Sequence, residues 1–245
     1  MQLHSQKVRR EDRYTISSKL NYQLQHGGLV ILNLSTMFPL KLKILLFYLH
    51  RVKRADFMHL EPAIIRKINV KYFPREKKVI EYKSPSMHSI DNMDITVRDG
   101  AQIPIRIYKP SGTDNLKTIV FNHGGGFVLR NIDSHDNLCR RIAQKTNALV
   151  ISVGYRLAPE YKFPIPVYDC YDALLWASEN CSIWGGNPDQ LVVMGDSAGG
   201  NLSTVVTLLA RDENGPNISK QVLIYPCLDA RLKYQSIDTY KDGYL

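Results

Sequence analysis

The chain has 245 residues, 44% hydrophobic and 22% charged, with 32 Lys and Arg against 23 Asp and Glu. That length fits one large domain, or one domain with an appendage. The composition excludes collagen-like, low-complexity, disordered and disulfide-stapled chains.

The formal charge of +9 is unevenly held. Residues 1–83 carry 17 Lys and Arg against 6 Asp and Glu, a net +11, while residues 84–245 carry 15 against 17, a net −2. A basic extension on a near-neutral globular domain describes this better than a nucleic-acid-binding core, so no nucleic-acid partner is expected.

The first 25 residues are polar and charged and lack the apolar stretch of a signal peptide. Residues 28–50 are apolar, but Pro39, Lys41 and Lys43 divide them into two runs, each too short to cross a bilayer. Helices here would lay their apolar faces over an active-site cleft. The alternative is peripheral contact with an anionic membrane, helped by Arg51, Lys53 and Arg54. The expectation is a cytoplasmic protein, with membrane association as the alternative. Residues 1–85 thus read as a basic, helical, cap-like segment and residues 86–245 as the core. Cys139, Cys170, Cys181 and Cys227 have neither zinc-site nor C-x-x-C spacing, and read as small buried residues of a reducing compartment.

Ile90 to Val97 and Ile103 to Tyr108 alternate like the strands of a hairpin joined at Asp99-Gly100. Apolar strand-like runs follow at Thr118–Asn122, Leu149–Val153, Leu191–Met194 and Gln221–Tyr225. Between them, apolar residues recur at helical spacing around 138–143, 167–175 and 202–209. Buried strands alternating with amphipathic helices predict an α/β fold with a doubly wound, mostly parallel sheet.

Ligands of such sheets bind at the carboxyl ends of the strands, and two unusual sequences stand there. Gly195-Asp196-Ser197-Ala198-Gly199 follows one strand and opens a helix. It fits G-x-S-x-G, a tight strand-to-helix turn that exposes a serine nucleophile beside a helix N-terminus. His123-Gly124-Gly125-Gly126 follows another strand. Its glycines free backbone N–H groups to receive the oxyanion of an acyl-transfer intermediate. His123 precedes this loop and reads as structural rather than as the catalytic base.

Together with Tyr155-Arg-Leu-Ala-Pro-Glu160, Phe163-Pro164 and Tyr225-Pro226, these motifs make residues 90–245 resemble the hormone-sensitive-lipase-type branch of the α/β-hydrolases. The resemblance implies a carboxylesterase or deacetylase acting on a small-molecule ester with an apolar acyl group, without cofactor or metal. Carried over by position, it makes Ser197 the nucleophile. It assigns the oxyanion hole to the loop His123, Gly124, Gly125 and Gly126 together with Ala198. Tyr155, Arg156, Glu160 and Asp172 fall on scaffold positions.

The family also places an acid and then a histidine after the nucleophile. The histidines here are at 4, 26, 50, 59, 88, 123 and 135, and only 48 residues follow Ser197. The expectation is therefore a sheet lacking its last strands, an exposed edge at residues 221–225, and impaired activity, as in a C-terminally truncated esterase. Two alternatives stand beside it. One is an esterase whose base comes from His123, His135, an N-terminal histidine or a second chain. The other is a non-catalytic ligand-binding pseudoenzyme of the same fold.

Overall fold

The structure is a computed structural model that describes residues 61–67, 83–231 and 233–240. The apolar stretch at residues 28–50, and all but 61–67 and 83–85 of the expected cap-like segment, lie outside the described residues. Residues 56–237 belong to one compact unit, which holds every strand found among the described residues.

Six strands form one sheet. They are β1 (Ser89–Thr96), β2 (Gln102–Lys109), β3 (Leu116–Asn122), β4 (Leu149–Val153), β5 (Gly186–Asp196) and β6 (Ile218–Ile224), in spatial order β1-β2-β4-β3-β5-β6. The first two pairings in that order differ in sense from the rest. β1 with β2 and β2 with β4 are antiparallel, whereas β4, β3, β5 and β6 run parallel. The hairpin turns where the sequence predicts, with Gly100 at φ 81° and Val97 bonded to Ala101 across it.

Three helices connect the parallel strands: α1 (Asp136–Thr146), α2 (Ile165–Asn180) and α3 (Ala198–Asp212). A short α4 (Gln235–Tyr240) follows β6. Alternate strand residues enter two cores. Val120, Ile151, Val153 and Val193 pack with Leu174 of α2 and with Leu202 and Val206 of α3. Ile119, Phe121, Val150 and Val192 pack with Cys139 and Ala143 of α1. Burial on both faces is why β3 and β4 are continuous apolar runs rather than alternating ones.

Three expectations need correcting. β5 begins at Gly186, five residues before its apolar run, because Gly186 and Asn187 pair with Leu116 and Lys117 ahead of an irregularity in register. β6 begins at Ile218 and ends at Ile224; Tyr225 leaves the strand at φ 35°. Cys227 is exposed, while the other three cysteines are buried, and all four are free thiols. Among the described residues β6 pairs only with β5, and Val222 on it is 39% exposed.

Candidate active site

The carboxyl ends of β3 and β5 bring the two motifs together. Ser197, between β5 and α3, has φ 52° and ψ −118°. This sparsely populated conformation costs on the order of 1–3 kcal/mol and persists only where its surroundings impose it. The imposing contacts are tight. The Ser197 N–H donates to the Ile224 carbonyl at 2.9 Å, and the Asn201 N–H donates to the Ser197 carbonyl at 3.1 Å. A Cβ added at Gly195 would lie 2.3 Å from the Gly199 carbonyl oxygen, so the turn closes only without side chains at these two positions.

The glycine loop is pinned differently at each residue. The Gly124 N–H donates to Asp196 Oδ1 at 2.9 Å, which corrects the expectation that this N–H is a free oxyanion donor. The Gly125 carbonyl accepts from the Val128 and Leu129 N–H groups, and Gly125 and Gly126 have φ of 131° and 62°. Among the described residues, nothing accepts the N–H of Gly125 or Gly126. The Ala198 N–H belongs to the first turn of α3, where donors lack intrahelical acceptors.

His123 lies beneath this loop, 1% exposed. Its ring stacks on Tyr155 at 4.3 Å between centroids, its Nδ1 is 2.8 Å from the Gly124 carbonyl, and the Tyr155 hydroxyl donates to the His123 carbonyl at 2.7 Å. Burial drives the His123 ring pKa down to about 4, against the pull of the Gly124 carbonyl. It is a neutral strut of the loop.

His135, the residue before α1, is 5% exposed and places Nε2 3.1 Å from Asp196 Oδ1. Burial pushes the Asp196 carboxyl upward, but His135 and the Gly124 N–H outweigh it and hold that carboxyl below the usual range. Among the described residues, no histidine ring is hydrogen-bonded to Ser197. His4, His26, His50 and His59 lie outside the described residues.

The residues expected as scaffold are paired. Arg156 donates from its backbone N–H and guanidinium to the fully buried Asp169, and reaches Asp99 at 2.8 Å. Asp172 accepts from the backbone N–H and guanidinium of Arg98. Glu160 accepts two bonds from Arg66. A third set of partners escaped the sequence reading: Arg66 also donates to the carbonyls of Val128, at 2.7 Å, and Ala158.

A cavity of about 670 Å³ lies at the opposite end of the sheet, lined by Asp114, Asn115 and Gly186 where β3 and β5 begin. Ligands of parallel sheets bind at the other ends of the strands, so this cavity is not the candidate site. Among the described residues, no helix is long and apolar enough to cross a membrane.

A family model described as alpha/beta hydrolase fold matches residues 119–245. An ethyl acetate hydrolase of Pseudomonas putida is 37% identical over 179 residues, covering 71% of this chain and 56% of its own. A carboxylesterase of Mycobacterium tuberculosis is 45% identical over 142 residues, covering 58% of this chain and 44% of its own. Among solved structures, a hyperthermophilic esterase from Pyrobaculum calidifontis is 38% identical with a TM-score of 0.66, over 75% of this chain and 57% of that one. The chain spans about half the length of the curated relatives it matches. It belongs to the hormone-sensitive-lipase-type branch of the α/β-hydrolase family.

Proposed function

We propose that this chain carries the nucleophile and the oxyanion donors of a serine hydrolase acting on small carboxylic esters with apolar acyl groups. Ser197 Oγ attacks the ester carbonyl, and the resulting oxyanion is received by the N–H groups of Gly125, Gly126 and Ala198. Collapse of the intermediate breaks the ester C–O bond, the leaving oxygen takes up the proton that Ser197 gives up and departs as the alcohol, and water then hydrolyses the acyl-serine. The observation that carries this reading is the Ser197 backbone, held at φ 52° in the tight turn between β5 and α3, which is the arrangement a nucleophile elbow needs. The names of the relatives, an ethyl acetate hydrolase and carboxylesterases among them, support the ester class.

The proton of Ser197 needs an acceptor. His123 is kept neutral beneath the loop with Nδ1 at the Gly124 carbonyl, and His135 is paired with Asp196. A site working from its oxyanion donors and binding alone retains about 10³- to 10⁴-fold over water. The test compares the purified chain with its Ser197→Ala variant on p-nitrophenyl acetate and butyrate. A rate that depends on Ser197 supports hydrolysis, and equal near-background rates overturn it. The engagement of both nearby histidines favours a second reading, a non-catalytic binder of small apolar esters. Saturable binding of a non-hydrolysable ester analogue, with no Ser197-dependent turnover, is its expected signature.

A further inference from the structure

Asp196 stands one residue before the serine, yet the partners of its carboxylate come from three other parts of the chain. Oδ1 accepts the Gly124 N–H at 2.9 Å and lies 3.1 Å from His135 Nε2. Oδ2 lies 3.4 Å from His135 Nε2 and accepts the Tyr225 hydroxyl at 3.4 Å. Asp196 is 6% exposed, and a buried carboxylate is costly unless donors surround it. His135 is itself braced, with Nδ1 2.9 Å from Ser134 Oγ, and Ser134 exchanges hydrogen bonds with the backbone of Asn131. The fit is close as well: a Cβ added at Gly124 would lie 2.4 Å from Asp196 Oδ2.

A chain of contacts thus runs from the loop before α1, through His135, to the first glycine of the oxyanion loop. Gly124 has its N–H occupied, and the next two residues do not. We infer that Asp196, braced by His135 and Tyr225, is a positioning residue: it fixes Gly124 so that the Gly125 and Gly126 N–H groups stay free for an oxyanion. The role of the loop rests on the esterase reading; the clamp on Gly124 does not.

Two measurements separate the clamp from the reading. Amide hydrogen exchange at Gly124 is compared between the wild type, Asp196→Ala, Asp196→Asn and His135→Ala, with Val120 in β3 as the control for global unfolding. Loss of one charge-assisted bond is expected to speed Gly124 exchange about 10- to 100-fold in Asp196→Ala. Asp196→Asn keeps an acceptor oxygen and recovers most of the protection. His135→Ala, which leaves Asp196 in place, gives an intermediate value and decides the question if Asp196→Ala does not fold.

The second measurement is hydrolysis of p-nitrophenyl acetate, where the same variants are expected to lower kcat about 10-fold or more with KM changed less than twofold. Gly124 exchange that stays at the wild-type value in both folded alanine variants overturns the clamp. A clamp present in exchange, with kcat and KM both unmoved in a Ser197-dependent enzyme, overturns the positioning role. If the wild type shows no Ser197-dependent rate, the esterase reading fails and exchange alone decides the clamp.

Discussion

A Cβ added to Gly199 would sit 2.0 Å from the carbonyl oxygen of Asn122 and 2.6 Å from that of His123. The helix carrying the serine and the strand carrying the oxyanion loop are therefore in backbone contact, and the two motifs form one structural unit. Backbone cannot rotate aside as a side chain can. Gly199→Ala is expected to cost about 3 kcal/mol or more, the upper range of overpacking. Gly126 offers the contrast: a Cβ there meets nothing within 4 Å, but φ is 62°. Gly126→Ala is expected to cost only about 1 kcal/mol, the penalty of a left-handed conformation. Urea denaturation of both variants checks the order.

How much of this was legible beforehand depends on the range of the interaction. Ser197 and the glycines were legible because a strained turn and a close backbone approach admit few residue types. β3 and β4 were legible because burial on both faces leaves unbroken apolar runs. The opening of β5 was not, since Gly186-Asn-Pro-Asp189 has the composition of a turn and is recruited by its neighbour β3. Nor were the roles of Asp196, His135 and Arg66. Their partners lie 61, 72 and 94 positions away, and tertiary packing, which no local pattern encodes, brings them together. Motif position also misled at Gly124, where the N–H meets a carboxylate instead of the open site.

The pair Arg156 and Asp169 secures the loop that leaves β4. Asp169 is fully buried and takes the Arg156 backbone N–H at 2.9 Å and Nη2 at 2.6 Å. Arg156 keeps Asp99 if Asp169 is lost, but removing Arg156 strands the buried Asp169 without a counter-charge, so Arg156→Ala is expected to cost about 3–5 kcal/mol. Replacing both by apolar residues of similar volume, as in Arg156→Met with Asp169→Leu, removes both charges and is expected to cost less than the single variant. Chemical denaturation of the two forms measures the difference.

His123 gives the fold a pH dependence of definite sign. Its folded pKa, about 4, lies below the ordinary value of 6.5 because the ring is buried. Between those values the unfolded chain binds a proton that the folded chain refuses. Stability is therefore full above pH 6.5 and falls as the pH is lowered toward 4, by about 3 kcal/mol at most. A His123→Asn variant loses this contribution, and its unfolding free energy is expected to fall less steeply between pH 6.5 and 4. Parallel slopes for the two proteins in that window contradict the assignment.

Arg66 ties residues far upstream of the sheet to the stretch that follows the oxyanion loop. Its guanidinium spans the Val128 and Ala158 carbonyls and the Glu160 carboxylate, while the Ala158 N–H donates to the Phe127 carbonyl at 2.9 Å. One side chain thus braces two loops already in contact. Its planar fork matters as much as its charge, because a single ammonium group cannot serve all three acceptors in this geometry. Arg66→Ala is expected to speed amide exchange at Val128, Leu129 and Ala158 on the order of 10-fold, while the amides of β3 stay unchanged. Arg66→Lys keeps the charge and is expected to recover less than half of that protection on a logarithmic scale. Full recovery by lysine would assign the effect to charge alone, and unchanged exchange in Arg66→Ala would remove the brace altogether.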